Sequence, residues 1–154
     1  MQLKKKETSK WVKIALTDKS YKCLKQKGVK KKKDPDKYAE VHSIRDNQNL
    51  STLGDAVIKL CYCDLLLEDE KLTKTKEGLE SDEVLVEKVA KHYDLIKYIN
   101  KDDNNDKLPR DYAYKGERHK YIATAVEAVI GAIYKEKNGD LTQIKELLKS
   151  WMEF

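Results

Sequence analysis

The sequence predicts an all-α domain, and three observations carry that prediction. Only 6 Gly and 2 Pro interrupt 154 residues. The apolar residues recur at intervals of three and four rather than in strict alternation. Hydrophobic residues are 40% and charged residues 38%, the balance of a helical protein with one core and a heavily charged surface. A chain of this length is about one domain and buries roughly two-thirds of the surface its unfolded form exposes.

Trp11 to Leu24 mixes Trp11, Val12, Ile14, Ala15, Leu16 and Tyr21 with lysines, enough for a short helix or two broken near Thr17. Residues 25–36 contain Gly28, four consecutive lysines and Pro35 without apolar periodicity, and are expected to be a mobile basic loop. From about Asp46, residues Leu50, Leu53, Val57, Ile58, Leu60, Cys61, Leu65 and Leu66 trace a long, nearly buried helix through Leu67. Ser81 or Asp82 can cap the next helix, whose stripe of Val84, Leu85, Val89, Ala90 and Tyr93 is expected to end near Asn100. Lys101 to Arg118, with its DDNND run, reads as a polar loop. His119 to Lys135 is a second strongly apolar helix through Ile122, Ala125, Val126, Val129, Ile130 and Ile133. Asp140 and Gln143 have the spacing of a capping box opening a last helix through Ile144, Leu147, Leu148 and Trp151. There is no internal repeat and no strand signal. The remaining Tyr and Trp residues mostly follow apolar stripes and are assigned to the core.

Charge is distributed unevenly. Met1 to Lys33 holds 13 Lys against Glu7 and Asp18, a net +11, whereas the whole chain is only +5. Such polarity suits contact with nucleic acid, since each phosphate neutralised by Lys releases condensed counterions; a solvated Lys-rich arm, including a basic segment over residues 1–10, fits the composition equally. No apolar run approaches the ~20 residues that cross a bilayer, and Met1 to Lys13 lacks the apolar centre of a signal peptide, so no membrane partner and a cytoplasmic location are expected. Of the three cysteines, Cys61 and Cys63 lie two apart in a helical pattern and point to different faces, which favours free thiols over a metal site.

The chemistry concentrates in two acids. Asp55 follows Gly54 inside NLSTLGDAVIKL, and Glu127 is the single acid of the helix over 119–135. A carboxylate on an apolar helix face loses hydration that Leu53, Val57 or Leu60 cannot replace, so it needs a partner, a metal or a raised pKa. Two arrangements satisfy this: the acids meet at a shared edge where a divalent cation offsets their repulsion, or each pairs with a neighbouring Lys or Arg.

The order of segments resembles the endonuclease domain of the ribonuclease III family. ALTDKSY (residues 15–21) looks like the family's ALTHRSY, and LSTLGDAV (residues 50–57) like its LEFLGDAV. LTKTKEGLESDEVLVEKVAKHYDLIKYI (residues 72–99) is similar to LTRLRASLVSNETLAEIAR and the helix that follows. IATAVEAVIGAIY (residues 122–134) looks like ILADTFEALIGALY. The resemblance implies a dimeric all-helical domain spanning residues 1–154 that cleaves double-stranded RNA with Mg2+, or with Mn2+ in its place. Asp55 and Glu127 fall on two metal-binding carboxylates of the family, and Gly54 on the glycine beside the first.

Four positions depart from the family pattern. The family carries acids seven and four residues before the first site aspartate and three before the second-site glutamate; here those positions are Gln48, Ser51 and Thr124. The Mini-ribonuclease III branch is similarly reduced and also lacks the RNA-binding domain. Because Phe154 follows soon after the last helix, no appended RNA-binding domain is expected here either. At Thr52 the family commonly has an aromatic residue inserted into the partner subunit, so a homodimer held through Thr52, Leu53, Gly54 and Val57 is expected to be held differently or more weakly. RNA contacts then fall to Lys30, Lys31, Lys32 and Lys33, and to Lys115, Arg118, Lys120 and a surface His119. The reading is a Mg2+-dependent endoribonuclease acting on double-stranded or hairpin RNA; the alternative is a catalytically inactive RNA-binding or scaffold protein on the same fold.

Overall fold

A computed structural model describes residues 9–154, so residues 1–8 of the basic N-terminal segment lie outside the described residues. Eight α-helices follow in order: α1 Lys10–Ala15, α2 Lys19–Gln26, α3 Pro35–His42, α4 Gln48–Leu65, α5 Leu72–Leu79, α6 Asp82–Val84, α7 Lys120–Glu136 and α8 Thr142–Trp151. Helix α6 runs directly into a π-helical stretch, Leu85–Ala90, and short 3-10 turns occupy Leu95–Tyr98 and Gly116–His119. Among the described residues the only β contact is one isolated parallel bridge between Thr17 and Asn100.

The two long apolar helices, α4 and α7, form the centre. Gly54 meets the main chain of Glu127 and Gly131, while Gly131 meets the carbonyl of Leu50. As one helix advances the other recedes, so they run antiparallel with their backbones in contact, which only residues lacking Cβ permit. Leu85, Val86, Val89, Ile122, Val126, Ile130, Ile144, Leu148 and Trp151 complete the main core around Val57, Ile58, Cys61 and Tyr62. A smaller cluster joins α1 to this pair through Ala15, Leu50, Ala128 and Ala132, with Trp11 and Ile14 packed over it.

The break near Thr17 is where three segments are tied together. Asp18 caps α2 through the Ser20 N–H, its own N–H donates to the carbonyl of Asn100, and the Asn100 N–H donates to Leu16. Fully buried Asn47 receives nothing from solvent; its amide donates to the carbonyl of Ala15 at 3.2 Å, fixing the start of α4 on the end of α1.

Several expectations change. The Lys-rich connection is shorter than residues 25–36, because α2 continues to Gln26 and Asp34 caps an additional helix with Pro35 in its first turn. The helix opened by Ser81 stops at His92, not near Asn100: Asp94 turns left-handed at φ 49°, and Ile96 is held instead by the Tyr112 hydroxyl. At Asp140 the carboxylate takes the N–H and hydroxyl of Thr142, so the cap of α8 is an Asx turn with Thr142 and not the box through Gln143. Tyr93 and Tyr98 are over 40% exposed, contrary to their assignment to the core. The cysteines are free, with Cys61 buried and Cys63 half-buried.

Candidate active site

Asp55 and Glu127 reach a common place because Gly54 does. A Cβ at residue 54 would lie 1.7 Å from the carbonyl oxygen of Glu127, so α7 comes down on α4 at the residue adjoining Asp55. Asp55 keeps 40% of its side chain exposed and accepts a 2.7 Å hydrogen bond from the Lys59 ammonium, one turn along α4. Glu127 is half-buried and accepts a 2.5 Å hydrogen bond from the Ser51 hydroxyl. Asp55 is thus paired with a neighbouring lysine, while the main chains that carry the two acids are in contact at Gly54.

Burial pushes the Glu127 carboxyl above its ordinary value, and the charges of Asp55 and Asp82 add to this. The Ser51 hydrogen bond and the Lys59 charge oppose it. The hydrogen bond that Lys59 donates to Asp55 holds its ammonium above its ordinary value, with the charges of Asp55, Glu80 and Glu127 contributing. Glu80, in the turn after α5, and Asp82, at the start of α6, thus add two further acids to this neighbourhood. Glu80 is paired with Lys76 at 2.8 Å, and its second oxygen is, among the described residues, the one buried side-chain polar atom with no hydrogen-bond partner. Lys59 and Glu80 have no part in the sequence reading, and Asp82 enters it only as a candidate helix cap. Lys59 alone had a legible signal there, its i+4 spacing from Asp55.

The other candidate positions divide. Gln48 is exposed at the first residue of α4, and its amide donates to Asn47. Thr124 is half-buried one turn before Glu127. Lys30, Lys31, Lys32 and Lys33 are exposed on the α2–α3 connection, and Lys115, Arg118 and Lys120 are exposed at the entrance to α7. Arg118 also donates to the carbonyls of Lys107 and Asp106, which steadies the preceding loop. His119 is not a surface residue. It is 2% exposed, its Nδ1 accepts from the Lys115 N–H, and its Nε2 lies 3.1 Å from Asp111. Its ring is used up in fastening the loop to the start of α7.

The expected interface residues are also redistributed. Gly54 is covered by α7, and Val57, 5% exposed, belongs to the chain's own core. Neither presents a face to a partner. Thr52 is exposed, with its hydroxyl donating to the Gln48 carbonyl, and Leu53 is half-buried.

The donor set is one of hard oxygens. Among the described residues no three His, Cys, Asp or Glu side chains form a ready metal cage. Carboxylate oxygens are donors of the kind a hard divalent cation takes. No described helix is long and apolar enough to cross a membrane.

Residues 48–138, more than half of the chain and all of α4 through α7, match the family model described as the Ribonuclease III domain. Two relatives bear the name Ribonuclease 3. The one from Natranaerobius thermophilus is 36% identical over 107 residues, which cover 65% of this chain and 44% of that protein. The one from Pelagibacter ubique is 34% identical over 118 residues, covering 72% and 49%. The chain spans about half the length of these curated relatives.

Proposed function

Because the chain belongs to the ribonuclease III domain family, we propose that it is a Mg2+-dependent endoribonuclease that hydrolyses phosphodiester bonds of double-stranded or hairpin RNA as a homodimer in the cytoplasm. The observation that carries this reading is the backbone contact of Gly54 on Glu127, which brings the acid-bearing stretches of α4 and α7 together closely enough for the Asp55 charge to act on Glu127. The two carboxylates are the residues that would hold Mg2+, or Mn2+ in its place. When bound, the cation supplies Lewis-acid polarisation of the phosphodiester and a water of lowered pKa.

The chain's own residues do the positioning. Ser51 fixes the rotamer of Glu127 and offsets part of the cost of ionising it. Lys59 neutralises Asp55 before substrate arrives and is placed to pass its charge to an incoming phosphate oxygen. Lys30 to Lys33 and Lys115, Arg118 and Lys120 provide phosphate contacts that read A-form shape rather than sequence.

Structured RNA incubated with the protein, with and without Mg2+, yields discrete products only with the metal. Asp55→Asn abolishes them while leaving the circular-dichroism melt intact; undiminished cleavage by that variant rejects the site. A second reading, an inactive RNA-binding or scaffold protein, has its own support, since both carboxylates already have partners in Lys59 and Ser51. On that reading calorimetry finds no Mg2+ binding and duplex RNA stays uncut.

A further inference from the structure

We propose that a surface cavity beside Trp11 binds an unpaired nucleotide of an RNA strand, with Arg45 and Lys135 taking its phosphates and the apolar floor taking its base. The cavity, about 250 Å³, is lined by Trp11, Ile14, Leu50 and Leu53, with Lys22, Arg45, Asp46, Asn49 and Lys135 at its polar wall. Three cations from three parts of the chain surround a single indole. Lys10 lies 5.3 Å from its centroid, Lys135 5.4 Å and Arg45 5.9 Å. Each contact is attractive to the ring face, but like charges gathered on one ring oppose each other.

Among the described residues acids do not balance them. Asp46, the one carboxylate lining the cavity, is engaged by Lys22 at 3.3 Å. Among the described residues Lys10, Arg45 and Lys135 have no carboxylate within ion-pair distance. A ligand that relieves this cluster is an anion, and one that also uses the Trp11, Ile14 and Leu53 surface has a flat apolar body. A nucleotide combines the two, and basic grooves interleaved with an aromatic platform are how proteins hold single strands. The base has to be unpaired, because a stacked base pair has no free face to offer.

A second copy of this chain fits less well. A two-fold contact centred here would set Lys10, Arg45 and Lys135 against their own copies, with Asp46 alone to offset them. The placement also suits RNA: Lys135 follows Glu127 by eight residues on α7, about 12 Å along the helix axis, so a strand held at Trp11 can continue to the acids. The inference rests on RNA as the ligand proposed above and not on the cleavage chemistry.

Trp151 is 5% exposed, so a ligand-dependent change in tryptophan fluorescence reports on Trp11. Titration with a short single-stranded RNA quenches it; a blunt duplex of the same sequence and inorganic phosphate do not. Arg45→Gln combined with Lys135→Gln, both exposed residues, weakens the single-strand titration and lowers its log–log salt slope by about 1.4, at about 0.7 for each phosphate left without its cation. In Trp11→Phe the fluorescence change disappears while anisotropy of labelled RNA still reports binding. Equal quenching by inorganic phosphate or by duplex overturns the proposal, as does an unaltered titration in the double variant. A double variant that changes sedimentation but not the titration also overturns it and makes the cavity a subunit contact. Asp55→Asn leaves the quench unchanged, so loss of cleavage with intact quenching bears on the nuclease reading alone.

Discussion

Replacing Gly54 by Ala puts a methyl group where α7 already is. The new Cβ would lie 1.7 Å from the carbonyl oxygen of Glu127, 2.6 Å from its carbon and 2.9 Å from the nitrogen of Gly131, whereas ordinary contact begins near 3.4 Å. All three are main-chain atoms of a long helix and cannot rotate away, so α4 and α7 have to part locally by about 1.7 Å. Overpacking of this kind costs about 1–3 kcal/mol and sometimes more, and here it meets rigid backbone. Alanine returns up to about 1 kcal/mol of helix propensity. The expected net loss is about 2 kcal/mol, or about 4–8 °C in Tm for a chain of this size. Cleavage should fall by about 100-fold, because a displacement of this order separates Asp55 from Glu127. Gly78→Ala is the matched control: nothing lies within 4 Å of its Cβ, it sits exposed in α5, and it should gain about 0.5–1 kcal/mol. Thermal and urea melts of both variants decide the matter. A Gly54→Ala protein as stable as the parent, or two variants shifting in the same direction, refutes the backbone-contact argument.

Glu127→Gln, measured without divalent metal, tests the site's electrostatics. The folded state holds the Glu127 proton more tightly than the unfolded chain, so the stabilisation by protonation is fully present below pH 4.5 and is lost as pH rises through the folded value. Glutamine still accepts from Ser51, so the variant should match the parent below pH 4.5 and exceed it in Tm increasingly towards neutrality; a Tm difference independent of pH would sink this account. Ser51→Glu with Thr124→Asp adds carboxylates next to Asp55 and Glu127 and should tighten Mg2+ binding several-fold by calorimetry, and unchanged affinity would count against the shared edge. His119→Leu orphans the Lys115 N–H and releases Asp111, for a loss of about 1–3 kcal/mol and faster amide exchange across residues 111–119; exchange at the parental rate would show that the loop is held by other contacts.

The legible parts of the molecule were those with local causes. Helices α4 and α7 were visible because their apolar residues repeat with helical period for almost twenty residues, and the acids stood out as exceptions within that repeat. Helix α3 was missed although Asp34 and Pro35 mark its start, because only Tyr38 and Val41 supply an apolar face and four lysines dominate the composition before it. The overrun past His92 has a different origin. Leu95, Ile96 and Ile99 continue the apolar content, but the chain is turned there by Asp94 and received by Tyr112, eighteen residues away. His119 gave no local sign of burial, since its partners Asp111 and Lys115 lie in the loop it fastens. The site shows the same limit. Asp55 and Glu127 stand out in the sequence as candidate acids, whereas Glu80 and Asp82 come near them only through the packing of the α5–α6 region on α4 and α7.

The contact of Gly54 and Gly131 across α4 and α7 has a consequence for how this site can be altered. The spacing of the two acids is set by main chain against main chain, with no side chain between to act as a variable spacer. Positions 48, 51 and 124 can therefore exchange acids for neutral residues, or take them back, without moving the frame on which Asp55 and Glu127 stand. On the metal-dependent reading proposed above, metal affinity would be tuned by what stands at these three positions, while Gly54 and Gly131 keep the helix spacing fixed.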